Sequence, residues 1–300
     1  MLKIGIIGLG DIAQKAYLPV ISKKELEVHL YTRDHVKLQD VGSKYRYNNL
    51  HDSLDSIINA DIQAAFVHTA TASHEEIVTQ LLNHNIHVFV DKPITYHFNT
   101  SEKLLALAGK KELILKVGFN RRYAPAIQNL KTLHDVNMII MQKNRKFLPG
   151  DIRTFIFDDF IHVVDTLLYL SKHPIEQLIV TGKKKDNLLY HVVVQFVFAG
   201  GLTAIGIMNR DSGTNEEKVE VFTTEEKRIV CNVSDSFILK DKNVTKTGEN
   251  DWMPTLTKRG FEGMVDEFLH DVKSGTRQYT EHDLLTHKVC EEIANTLEAL

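Results

Sequence analysis

Lys3-Ile4-Gly5-Ile6-Ile7-Gly8-Leu9-Gly10-Asp11-Ile12-Ala13 is the stretch whose reading decides the fold. A short apolar run enters a glycine-rich turn, and a helical pattern starts at its exit. Gly8, Gly10 and Ala13 fit the form Gly-x-Gly-x-x-Gly/Ala. Gly8 lets the chain turn sharply out of a strand. Gly10 has no Cβ, so a pyrophosphate can approach the backbone, and Ala13 lets the helix pack close to the strand. At the helix N-terminus, Asp11 and Ile12 begin a run of backbone N–H groups with a partial positive charge suited to phosphates. Gly8, Gly10, Asp11, Ile12 and Ala13 are thus candidate dinucleotide-binding residues. An ordinary tight strand-to-helix turn is the alternative, and the position after a strand and before a helix favours the former.

Strand and helix patterns alternate outward from this turn to residue 117. A helix is expected to Val20–Ser22, ended or kinked by Pro19. Glu27–Thr32 reads as the second strand. Its end faces the adenosine ribose in such folds, where an Asp or Glu would bond the 2′-hydroxyl of NAD. Here Thr32-Arg33 stands instead, a hydroxyl and a guanidinium that would accept a 2′-phosphate. NADP(H) is therefore favoured over NAD(H). Otherwise Arg33 is a solvated turn residue and Asp34 takes the ribose.

Asp61–Thr69 is a near-continuous apolar strand, as in a parallel sheet covered on both faces. The stretch from Thr71 opens a helix, with Thr71 or Ser73 as the expected cap. His74 lies just past the C-terminal end of that strand, on the side where open α/β sheets bind ligands, and otherwise is a surface helix histidine. Ile86–Val90 is the next strand and runs into Asp91-Lys92-Pro93. Pro93 forces Lys92 into an extended conformation, with its amine toward the same crevice; the bland reading is a solvated loop lysine. Ser101–Leu107 is helical, and Leu113–Val117 is another buried strand. The pattern is a doubly wound parallel α/β sheet with the glycine turn on its first strand.

Three hundred residues, 43% apolar and 25% charged, describe an ordinary globular chain of about two domains. A formal net charge of −3 gives no case for nucleic acid or an anionic membrane as partner. Cys231 and Cys290 form no zinc or redox pattern and suit a reducing cytoplasm. The N-terminal apolar run is short and glycine-broken, unlike a secretory leader. No apolar run reaches the ~20 residues of a membrane span. None of the fifteen histidines sits in a His-Glu-x-x-His arrangement, so no metal site is expected.

Several motifs in order give the chain a resemblance to the Gfo/Idh/MocA oxidoreductase family. They are Gly8 to Ala13, Thr69-Ala70-Thr71-Ala72-Ser73-His74, Asp91-Lys92-Pro93, Gly118-Phe119-Asn120-Arg121-Arg122-Tyr123 and Asp158-Asp159-Phe160-Ile161-His162-Val163-Val164-Asp165. Within the family it is similar to the MviM-like branch, through Ile12 to Ala16, Phe66-Val67-His68, Val90 to Pro93 and the Asp158–Asp165 run. The one departure is Asp91, where the family usually has Glu.

The resemblance implies a Rossmann domain over 1–120 and an α+β substrate-binding and dimerisation domain over 121–300. It adds Thr69, Ala70, Thr71, His74, Asp91 and Lys92 to the cofactor-binding set, along with Thr32 and Arg33. It makes Lys92 catalytic, as the group that holds the reacting oxygen and as a rival to His162 for the proton. It places Asn120, Arg122 and Tyr123, with Lys92, Asp158 and His162, at the substrate. The implied activity is hydride transfer between NAD(P) and a secondary alcohol or carbonyl of a sugar, cyclitol or related polyol. A homodimer or tetramer through the C-terminal sheet is implied as well. The alternative is a dinucleotide-binding sensor on the same fold that turns nothing over.

Asp158 and His162 are spaced i, i+4, which puts them on one helix face. There a carboxylate would orient the imidazole for proton transfer. Asp165 is a rival partner. Alternatively Asp158 or Asp159 caps a helix and His162 is a core residue. Lys143–Arg153 reads as a basic loop carrying Lys143, Arg145, Lys146 and Arg153. It either faces an anionic or polyhydroxylated substrate or is merely solvated. From Ile175 the pattern becomes strands and tight turns, hence a mainly antiparallel open sheet. Val192–Phe198 barely alternates, so both of its faces are expected to be covered. Gly260–Val272 and Glu281–Leu300 read as helices, with Thr280 as a cap.

Overall fold

The computed structural model describes residues 1–248, 250–276 and 281–300, so the expected cap at Thr280 lies outside the described residues. The chain divides into two compact units. One comprises Met1–Gly118 with Phe261–Leu284, and the other Phe119–Gly260 with Leu285–Leu300.

The first unit begins with β1 (Leu2–Ile7), the glycine turn, a π-helical turn over Ala13–Tyr17 and α1 (Leu18–Ile21). There follow β2 (Leu26–Tyr31), α2 (His35–Tyr45), β3 (Asn49–His51), α3 (Leu54–Ile58), β4 (Ala64–Val67) and α4 (His74–Asn83). β5 (His87–Val90), α5 (Phe98–Lys110) and β6 (Leu115–Val117) complete the run. The six strands are all parallel, in the order β3-β2-β1-β4-β5-β6. This is the doubly wound sheet expected from the alternation, with every residue of β4 fully buried. The order reverses between β1 and β4, so Gly8 and the end of β4 lie together at the switch point, where such sheets bind ligands.

Two local expectations change form. Proline has no N–H to donate, and its ring crowds the carbonyl four residues back. The disturbance expected at Pro19 takes the shape of the wider π turn just before it. Neither Thr71 nor Ser73 caps α4 with its side chain; a 3₁₀ turn over Thr71–Ser73 leads into the helix instead.

The second unit contains α6 (Pro125–Lys131), β7 (Met138–Asn144), α7 (Ile152–Phe155), a π-helical turn over Ile156–Phe160 and α8 (Ile161–Ser171). Then come β8 (Ile175–Lys185), β9 (Leu188–Phe198), β10 (Thr203–Asn209), β11 (Glu216–Phe222), β12 (Lys227–Cys231), β13 (Asp235–Lys240), β14 (Asn243–Gly248) and α9 (Thr255–Lys258). The eight strands run β14-β13-β12-β11-β7-β10-β9-β8, and only the β7–β10 pair is parallel. α8 lies directly on β10: a Cβ at Gly206 would meet Val163 at 3.0 Å and Leu167 at 3.1 Å. Within the chain one face of Val192–Phe198 is covered, and the other is the face expected to meet a second subunit. Val192, Val194, Phe196 and Phe198 are buried, while Val193, Gln195 and Val197 on the other face are half-buried.

α10 (Phe261–Ser274) completes the first unit, and α11 (Glu281–Ala299) is the last helix. Phe268 of α10 meets Phe66 and Phe89 edge-on at 5.1 and 5.5 Å. Glu267 and Asp271 receive Lys116 of β6, the latter at 3.3 Å. Among the described residues no helix is long and apolar enough to cross a membrane.

Candidate functional site

Gly8 cannot be another residue. Its φ is +90°, in the left-handed region, and a Cβ there would lie 2.7 Å from the Thr69 amide nitrogen. The close approach seats the turn against the end of β4. A Cβ on Gly10 would meet only the His68 carbonyl, at 4.0 Å, so the space above Gly10 is open. That space is a cavity of about 500 Å³.

Six of the residues singled out from the sequence line this cavity: Gly8, Gly10, Thr32, Arg33, Thr69 and Ala70. The glycine turn and the residues just past β2 therefore share one cavity. Lys37 also lines it, one helical turn beyond Arg33. Asp34 is the N-cap of α2 and accepts the Lys37 backbone N–H at 3.0 Å. Its carboxylate is held below the usual range first by that backbone hydrogen bond. Lys37 was not singled out from the sequence; Asp34-x-x-Lys37 is the cap spacing that would have placed it.

The other candidates of this unit have separate placements. Ala13 is fully buried, as close helix packing requires, and Ile12 is 37% exposed. Asp11 is exposed and paired with Lys15 at 2.6 Å. Thr71 starts the 3₁₀ turn. His74 is buried and is not a surface histidine. Its Nδ1 lies 3.0 Å from the Pro93 carbonyl oxygen and its Nε2 3.0 Å from that of Thr69. The ring thus ties the loop after β5 to the loop after β4. The Lys92–Pro93 peptide is cis.

Asp91 receives the Tyr17 hydroxyl at 3.2 Å. Burial pushes the Asp91 carboxyl up, and the Lys92 ammonium beside it pulls the other way. Burial also pushes the Tyr17 phenol well up, reinforced by the Asp91 charge. Gly118 makes room for the pair: a Cβ there would sit 2.8 Å from both the Asp91 carboxylate and the Tyr17 hydroxyl. His68, quoted in the sequence only as part of a branch motif, stacks on the Tyr17 ring at 3.9 Å. Neither of its ring nitrogens has a hydrogen-bond partner among the described residues, nor has the Thr69 hydroxyl.

In the second unit, Asp158 lies in the π-helical turn and His162 in the first turn of α8, both half-buried. The helix cap in this stretch is neither Asp158 nor Asp159 but Asp151, which accepts the Thr154 N–H at 3.1 Å. Asp165 is buried and receives Arg122 through Nε at 3.1 Å and the Thr286 hydroxyl at 3.1 Å. Arg122 also lies 4.6 Å over the Phe119 ring. Asn120 donates to the Arg259 carbonyl at 2.8 Å and accepts from Arg121 at 3.3 Å. Tyr123 is half-buried.

The stretch read as a basic loop is only partly one. Lys143 lies in the last two residues of β7, is 2% exposed and pairs with Asp159. Arg145 approaches Asp159 at 3.7 Å, and Arg153 of α7 pairs with Glu291 at 2.8 Å. Among the described residues no group of three or more His, Cys, Asp or Glu could hold a metal ion.

Comparison with known proteins agrees with these features. Residues 2–119 match the family described as "Oxidoreductase family, NAD-binding Rossmann fold", of Gfo/Idh/MocA type. Residues 125–241 match the YceM-like C-terminal domain. YceM of Salmonella typhimurium, an oxidoreductase by name, is 33% identical over 97% of each chain. Myo-inositol 2-dehydrogenase of Thermotoga maritima is 23% identical over 91% of this chain and 89% of that one. The crystal structure of dehydrogenase (MviM) from Clostridium difficile superposes with a TM-score of 0.94 at 32% identity, covering 98% of this chain and 99% of that one.

Proposed function

Because the chain belongs to the Gfo/Idh/MocA oxidoreductase family, we propose that it transfers a hydride between NADP(H) and a secondary alcohol or carbonyl carbon of a sugar, cyclitol or related polyol. One observation carries the reading: a single cavity is lined both by Gly8 and Gly10 of the glycine turn and by Thr32, Arg33 and Lys37. The residues fit a dinucleotide. Open space over Gly10 suits a pyrophosphate, and two cations in the same cavity, Arg33 and Lys37, suit a 2′-phosphate. Asp34, the carboxylate next to Arg33, is engaged as a helix cap. The nicotinamide, when bound, supplies or accepts the hydride.

The chain's own residues position the substrate and handle its proton. Lys92 holds the reacting oxygen and favours its developing negative charge. Asp91 sits beside Lys92 and is itself held by Tyr17. His162, oriented by Asp158, transfers the alcohol proton. Asn120, Arg122 and Tyr123 take part in binding the substrate, with Arg122 set in place by Asp165. The substrate class rests on relatives such as the myo-inositol dehydrogenase.

A second copy of the chain covers the open face of the large sheet. The register puts Ile205 opposite Ile140 and Ile207 opposite Val193 on that half-buried face. A monomer mass in light scattering would remove this part of the proposal.

The test of the cofactor reading is a calorimetric titration of the purified protein with NADPH and with NADH. NADPH is expected to bind the tighter, by at least about tenfold, and Arg33→Ala to abolish the difference. Binding of neither would remove the oxidoreductase reading.

A further inference from the structure

One end of the large sheet carries a buried cluster of charge that the proposed reaction does not use. Four cations arrive from separate stretches: Arg121 ahead of α6, Lys143 and Arg145 at the end of β7, and Arg210 just past β10. Arg121, Lys143 and Arg210 are each less than a tenth exposed, as are the carboxylates Asp159 and Glu217.

Glu217 is fully taken. Arg121 forks onto it with two bonds of 2.6 Å, Nε to Oε1 and Nη2 to Oε2. Glu216, at the rim, accepts the Asn144 side-chain amide at 2.8 Å. Lys143, Arg145 and Arg210 are left to share Asp159. Lys143 pairs with its Oδ1; Arg210 Nη2 lies 3.3 Å and Arg145 Nε 3.7 Å from its Oδ2. Arg210 stacks at 4.5 Å on the Phe155 ring, and its Nε has no hydrogen-bond partner among the described residues. The cluster therefore holds one more cation than anion, counting Glu216. Charge in a low-dielectric interior is costly unless it is paired. Burial, and after it the Arg121 charge, pull the Lys143 ammonium down to about 7.

The shortage of negative charge is not sealed off. The Arg145 side chain is 32% exposed while its Nε points at Asp159. Asp159, in turn, follows directly on Asp158, the carboxylate assigned to orient His162. We propose that this cluster receives an anionic group of the substrate, a carboxylate or a phosphate, with Arg145 as its outer contact. The substrate is then a sugar acid or a phosphorylated sugar or polyol rather than a neutral one. The inference rests on the oxidoreductase reading, which it makes more specific.

The test uses the whole protein with NADPH bound, so that failure of cofactor binding is seen first and counts against the underlying reading alone. Calorimetry then compares glucuronate, glucose 6-phosphate and inorganic phosphate with glucose and myo-inositol. At least one of the anions is expected to bind, and glucose and myo-inositol to bind at least about tenfold more weakly. Binding of glucose 6-phosphate or inorganic phosphate without glucuronate assigns the phosphorylated source, and the reverse assigns the sugar acid. Arg145→Gln is expected to weaken the bound anion by about ten- to a hundredfold, with Arg145→Lys recovering part of the loss. Equal binding of neutral and anionic compounds overturns the proposal. So does failure of every anion to bind at ~10 mM, or an anion affinity unchanged in Arg145→Gln.

Discussion

His68 makes the stability of the first unit depend on pH in a way that can be worked out. The ring is 5% exposed, lies flat against Tyr17, and has no hydrogen-bond partner on either nitrogen among the described residues. Burial, with a smaller push from His74, lowers its pKa from 6.5 to about 3. The folded value lies below the unfolded one, so between the two the unfolded chain binds a proton that the folded chain refuses. Stability is intact above about pH 6.5 and falls as the pH drops toward 3. At pH 5 the loss from this one group is about 2 kcal/mol, and across the whole window about 5 kcal/mol. His68→Phe keeps a ring against Tyr17 and removes the titration; His68→Gln removes it without a ring. Urea unfolding at about pH 7.5 and about pH 5 gives the change in stability for each protein. The wild type is expected to lose about 2 kcal/mol more than either variant. Equal losses in all three would mean that His68 is not held neutral in the folded protein, and the reasoning fails.

Gly8→Ala must place a Cβ 2.7 Å from the Thr69 amide at φ +90°; a loss of at least about 2 kcal/mol in urea unfolding and of NADPH binding is expected. Lys92→Ala is expected to lower turnover by ~10²–10⁴, read by steady-state kinetics on the first substrate found. Glu217→Gln leaves the buried Arg121 without its counter-charge, and urea unfolding should show a loss of about 3–5 kcal/mol. Arg153→Ala, which breaks a half-buried pair with Glu291 and one with the exposed Glu298, should cost less than about 1 kcal/mol in the same assay.

The parts of this molecule legible in the sequence are those whose causes are local. The Gly8 turn, the apolar strand before His68 and the Pro93 constraint on Lys92 depend on neighbours a few residues away. β3 and β14 escape the pattern because pairing, not burial, makes them. Asn243-Val244-Thr245-Lys246-Thr247-Gly248 is almost wholly exposed and is a strand because β13 lies beside it. The place of α10 is equally hidden. Nothing near Phe66 or Phe89 in the sequence says that Phe268 covers them. Lys143 misleads for the opposite reason. A lysine with an arginine two residues on and another lysine three residues on reads as solvated, and Asp159, sixteen residues on, makes its burial tolerable.

The dipeptide Asp158-Asp159 shows how two adjacent identical residues take different chemistry. Successive side chains on a helix point about 100° apart, so neighbours in sequence do not share a face. The π turn over Ile156–Phe160 adjusts that angle just ahead of α8. Asp159 is turned inward, onto Lys143, Arg145 and Arg210. Burial alone would raise its carboxyl, but the Lys143 charge leads a set of cations that hold it below the ordinary range. Asp158 stays half-buried, like His162 four positions on. A carboxylate locked under three cations is a poor proton partner for an imidazole, because its charge is already spent. Under the proposed reaction the role of orienting His162 therefore goes to Asp158. A test of that division is Asp158→Asn, expected to lower kcat, against Asp159→Asn, expected to lower stability in urea unfolding. The reverse pattern would exchange their roles.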